Sequence, residues 1–133
     1  MNPLRPLLIA ALCVGIASPA VAQECHKVAD YSAMIACYGQ AAAETDRKVT
    51  EAYGIMMKRL GDSPAADKLS RSQKAWLEYR STYCAYVVSA NEGGSIVRMT
   101  GAQCNLGISQ SRLSELESQV NCQEGQFGCF RAH

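Results

Sequence analysis

The sequence is poor in several features that would point to a common chemistry. There is no charge of one sign to speak of: 13 Lys and Arg stand against 12 Asp and Glu, a formal net charge of +1. That balance removes any composition-level case for nucleic acid or for attraction to an anionic membrane. The two histidines, His26 and His133, lie in no triad spacing with a Ser, Cys or Asp. No Cys-x-x-Cys occurs, so redox chemistry of the thioredoxin type has no support. No alternating apolar-polar run of useful length is present, nor an internal repeat or a low-complexity tract, which argues against strands and repeat architectures. Nothing singles out a catalytic carboxylate pair among the 12 acidic residues. No cofactor or metal is expected, and the chain does not read as an enzyme.

Cysteine, by contrast, is plentiful: seven in 133 residues. Met1 to Ala22 has the form of a secretory signal, with Arg5 ahead of a short apolar run from Leu7 to Ala17 and the small-x-small triplet Ala20-Val21-Ala22. The run is shorter than the roughly 20 residues that span a bilayer, so no membrane span is expected after removal of the signal. Cys13 follows Leu12 rather than a small residue, which disfavours lipidation there. Cleavage after Ala22 leaves a neutral chain with six cysteines, Cys25, Cys37, Cys84, Cys104, Cys122 and Cys129. An even set in a small exported domain implies a disulfide framework and a periplasmic or secreted location.

Helical periodicity organises the remainder. Asp30 suits an N-cap for a helix to about Leu60, with the stripe Met34, Tyr38, Ala42, Val49, Tyr53, Met56 and Leu60. Gly39 is a weak point where this helix could kink or split. Gly61 suits a C-cap, Ser63 an N-cap and Pro64 a first helical position, opening a second helix to about Ala90. Gly93-Gly94-Ser95 ends the next turn and offers Ser95 as the cap of a third helical region, Ile96 to about Val120, with a break expected near Gly107. The expectation is an all-α antiparallel three-helix bundle: residues 1–22 the signal, 23–121 the helical domain, and 122–133 a tail closed by a disulfide.

Reflection through the two turns predicts contacts. Cys84 and Cys104 are centred on Gly94, so a hairpin there pairs them. Cys122 and Cys129 share a short glycine-containing tail, which leaves Cys25 with Cys37. Asp46 and Arg80 are centred on Ser63, which predicts an ion pair beside Trp76. Solvation of each charge at the edge of its stripe is the simpler alternative. Gln73, Trp76, Arg80 and Cys84 recur at helical spacing on one face. Trp76 and Tyr53 are assigned to the core, and the role of Gln73 stays open.

The ordered set Cys25, Cys37, Asp46, Val49, Tyr53, Gln73, Trp76, Arg80, Cys84, Gly93-Gly94-Ser95, Cys104 and Arg112 resembles the LprI-type domain of bacterial envelope proteins, named for a lysozyme inhibitor. The resemblance extends from about Cys25 to Leu116 and leaves out the tail. It implies inhibition of lysozyme, or of another peptidoglycan hydrolase, by protein–protein binding. The turn Asn91, Glu92, Gly93, Gly94 and Ser95, with Arg98, is the candidate contact. An ordinary helix-connecting turn is the structural alternative for the same residues. An envelope adaptor module, or an immunity protein against a wall-degrading toxin, are the alternative functions.

Overall fold

The computed structural model describes residues 20–123 and 125–130, and all regular structure among them is helical. Most of the proposed signal, including Cys13, and His133 at the C-terminus lie outside the described residues. Four helices follow one another: α1 (Ala20–His26), α2 (Tyr31–Leu60), α3 (Pro64–Ser89) and α4 (Val97–Val120). The last three form the expected bundle. Helix α1, which carries Cys25, is an addition to the three expected rods.

The helix ends follow local chemistry. Asp30 is extended and its Oδ1 accepts from the amide of Ala33 at 2.7 Å. Gly61 takes φ +55°, a conformation that a side chain disfavours, and its N–H donates to the Met57 carbonyl. Ser63 then caps α3, with Pro64 where no intrahelical N–H is needed.

Three expectations are corrected. Helix α2 runs unbroken through Gly39, and α4 runs unbroken through Gly107. An interior glycine costs only about 1 kcal/mol, and burial of Leu106, Ser109 and Leu116 on either side of Gly107 offsets that. Ser95 does not cap α4. Ile96 occupies the cap position in a helical conformation and makes no side-chain cap bond. An N-cap hydroxyl needs extended dihedrals at its own residue, just ahead of the first turn. The turn instead tightens through the Val97 amide on the Gly94 carbonyl, and the Ser95 carbonyl accepts from the Tyr31 hydroxyl at 2.9 Å.

The core is one seam along α2, chiefly against α4. At one end Tyr38, Ala42 and Leu106 enclose Cys25. In the middle Val49, Ala52 and Leu116 meet, with Tyr53 and Trp76 half-buried against them. At the other end Met56, Leu60 and Ala66 close the first turn. Helix α3 lies more lightly on the other two and buries only Ala66 and Cys84. Three disulfides brace this frame: Cys25–Cys37, Cys84–Cys104 and Cys122–Cys129. Arg59 adds a polar clamp, donating from both terminal nitrogens to the Gln119 and Val120 carbonyls at the end of α4, where a cation complements the helix dipole.

Candidate functional site

The polar residues singled out in the sequence converge on the seam between α3 and α4. The seam is built in tiers. Nearest the hairpin turn is the Cys84–Cys104 disulfide. Gly101 of α4 faces Val88 there, and a Cβ at that position would just touch the Val88 Cγ2, at 3.4 Å.

One tier down, Arg80 Nη1 donates to Asp46 Oδ1 at 2.5 Å and to Ser109 Oγ at 2.8 Å, and Ser109 Oγ donates to the same Asp46 oxygen at 2.6 Å. A single triangle therefore ties α2, α3 and α4 together. Ser109 is fully buried, whereas the Asp46 side chain keeps 40% of its exposure. The Arg80 guanidinium also lies 4.7 Å from the centre of the Trp76 ring, within cation–π range. Trp76 itself is half-buried against Val49 and Leu116, as a wall of the core, and its Nε1 is enclosed without an acceptor among the described residues.

The lowest tier centres on Arg112. Its Nε donates to Gln73 Oε1 at 3.1 Å, its Nη2 to Ser72 Oγ at 3.3 Å, and its Nη1 to Glu115 Oε2 at 2.9 Å. This gives Gln73 its role: it holds the guanidinium side-on.

Ser109, Ser72 and Glu115 were not anticipated. Reflecting Arg80 through Gly94, as the cysteine pair was reflected, lands on residue 108, one position from Ser109; the signal was present for that residue. Glu115 could be found as the i+3 acid after Arg112. Ser72 carries no spacing signal.

Outside the seam, the candidate turn stands at the end of the hairpin. Glu92, Gly93, Gly94, Ser95 and Arg98 are exposed, and Asn91 is half-buried. Gly93 takes φ +82°, and a Cβ on Gly94 would crowd the Asn91 carbonyl at 3.2 Å. Both glycines are therefore fixed by the shape of the turn, whatever the turn contacts. On the far surface of α2, Arg47 holds the carboxyl of Glu44 below its usual range, chiefly through their direct hydrogen bond. Both groups are solvated and have no part in the seam. No group of metal-ligating side chains occurs among the described residues, and none of their helices is long and apolar enough to cross a membrane.

The family described as "Lysozyme inhibitor LprI" matches residues 25–116, a span that holds all three tiers and the turn. An uncharacterized protein of Rhizobium meliloti strain 1021 is 26% identical over 140 residues, covering 93% of this chain and 99% of the relative. No solved structure matches the chain.

Proposed function

The chain belongs to the LprI family of lysozyme inhibitors, and from that premise we propose that it is an exported inhibitor of lysozyme that acts by binding the enzyme. The family match over the helical domain carries the reading. The contact surface we propose is the end of the α3–α4 hairpin, Asn91 to Ser95 with Arg98. A turn held from behind by the Cys84–Cys104 bridge loses little freedom on docking, and rigidity of this kind raises affinity by lowering the ordering cost. Glu92 and Arg98 offer charges of both signs at the rim of such a contact.

Disulfides and family together support an extracytoplasmic location. We assign Met1–Ala22 as the export signal and residues 122–133 as a separate, disulfide-closed tail. Cleavage after Ala22 shortens α1 to its last turn and frees the Tyr38 hydroxyl from the Ala22 carbonyl, to which it donates at 3.1 Å.

The test is a turbidity assay, in which lysozyme clears a suspension of bacterial cell walls in the presence of the purified, oxidised protein. Clearing should slow in proportion to added protein. A contact residue truncated to alanine should weaken inhibition roughly 5- to 30-fold, the equivalent of about 1–2 kcal/mol; Glu92→Ala and Arg98→Ala are the variants of choice. Undiminished clearing at a large molar excess would overturn the proposal. An adaptor role in the envelope is the second reading. It is favoured by the uncovered aromatic face of α3, where Tyr79, Tyr83 and Tyr86 are all exposed.

A further inference from the structure

Arg112 has too few partners for a cation so enclosed. It is 7% exposed. A guanidinium carries five N–H bonds, and three of those on Arg112 have acceptors among the described residues. Its anionic partner, Glu115, keeps 65% of its side-chain exposure. The pair is lopsided, with the guanidinium enclosed and its carboxylate largely in solvent. The cation is thus fixed from beneath by Gln73 and Ser72 and neutralised from above by a carboxylate that is free to swing into solvent.

Arg112 and Glu115 also line a groove of about 540 Å³ between α3 and α4, walled by Trp76, Tyr79, Tyr83 and Ile108. This volume lies within the range of small-molecule sites, which combine apolar walls with a few placed polar groups. Tyr79 and Tyr83 stack on each other at 5.4 Å and remain 53% and 42% exposed. Gly107 lines the same groove and adds no side chain to it. Spare donors at one end and a stacked aromatic wall alongside complement one kind of ligand.

We propose that the α3–α4 groove binds a carboxylate carried on an aromatic or apolar body, with Arg112 receiving the carboxylate and Glu115 serving as the resident counter-ion that the ligand displaces. A free aromatic acid and the C-terminal residue of a polypeptide share this chemistry. Planar, two-point recognition of a carboxylate is the task a guanidinium does best. The groove is distinct from the hairpin end, and this proposal goes beyond lysozyme inhibition without resting on it.

The chain has a single Trp, and that residue lines the groove, so tryptophan fluorescence of the full, oxidised protein reports occupancy directly. The probes are N-acetylphenylalanine, its amide, and the peptide acetyl-Ala-Ala-Phe with a free C-terminus. The acid should produce a saturable change, and the amide should bind at least roughly tenfold more weakly, because it loses a charge-assisted bond. A peptide that binds more tightly than the free acid identifies a polypeptide terminus as the source. Equal or weaker binding of the peptide identifies a small acid. Arg112→Lys should weaken the acid, but this buried substitution risks the fold. Glu115→Gln changes an exposed side chain, keeps an oxygen that can accept from Arg112, and should tighten the acid several-fold by removing its charged competitor. The proposal is overturned if acid and amide behave alike, if neither binds in the millimolar range, or if Glu115→Gln leaves the affinity for the acid unchanged.

Discussion

Ser109 has no exposed surface, yet its hydroxyl is bonded on both sides, accepting from Arg80 and donating to Asp46. Removing it should therefore do more than delete one oxygen. Ser109→Ala leaves Arg80 with one fewer acceptor and should cost about 1 kcal/mol. Arg80→Leu also gives up the contact with Trp76. A double-mutant cycle of Asp46→Asn with Arg80→Leu, followed by denaturant unfolding, should give a coupling of about 0.5–3 kcal/mol. The lower half of that range is expected, because Asp46 is partly solvated. Additive losses would mean that the triangle contributes nothing as a unit. Asp46 and Arg80 were legible as partners because reflection through a turn is simple arithmetic on helices of regular rise. Serines such as Ser72 and Ser109 were harder, since a hydroxyl is common on any helix face and only a neighbour on another helix distinguishes one from the next. Arg112 was legible as a member of the ordered set that carries the family resemblance, and its enclosure depends on how far α3 stands from α4, which no single-chain spacing encodes.

At the level of the helices, the glycines separate into two kinds. Gly39 lies inside α2, where a Cβ would meet nothing within 4 Å, whereas Gly61 holds φ +55° at the end of that helix. Gly39→Ala should raise stability by about 0.5–1 kcal/mol through helix propensity. Gly61→Ala should lower it by about 1–3 kcal/mol, because it forces a side chain into a conformation reserved for glycine. Thermal unfolding of the two variants should shift in opposite directions. The helices and the first turn were read from sequence with small error, since Asp30, Gly61, Ser63 and Pro64 are local signals, whereas the Ser95 cap expected at the second turn does not form. The expected break at Gly107 failed because propensity is local and weak, while the packing of Leu106 and Leu116 on both sides is neither. Helix α1 is not legible in the sequence because seven residues show almost no periodicity, and it is tied to α2 by the Cys25–Cys37 bridge.

For the molecule as a whole, α3 is the lightly held rod. The Cys84–Cys104 bridge joins it to α4 and spans 20 residues, the longest of the three spacings. Loop-closure entropy gives such a link about 3 kcal/mol. Replacing both cysteines with alanine should cost at least that much. It should also speed amide hydrogen exchange along α3 while α2 stays protected, since exchange follows the local density of buried contacts. Uniform acceleration over all three helices would show instead that the bundle opens only as one unit.

The three bridges do not meet solvent on equal terms. Cys25 is wholly enclosed beneath Tyr38 and Leu106, whereas Cys122 and Cys129 belong to an outlying loop and are only half-buried. The tail offers a small reductant two half-buried sulfurs, whereas the inner staple offers only that of Cys37, so the outer staple is reached first. Damage by thiols should therefore begin at the tail and leave the helical body standing.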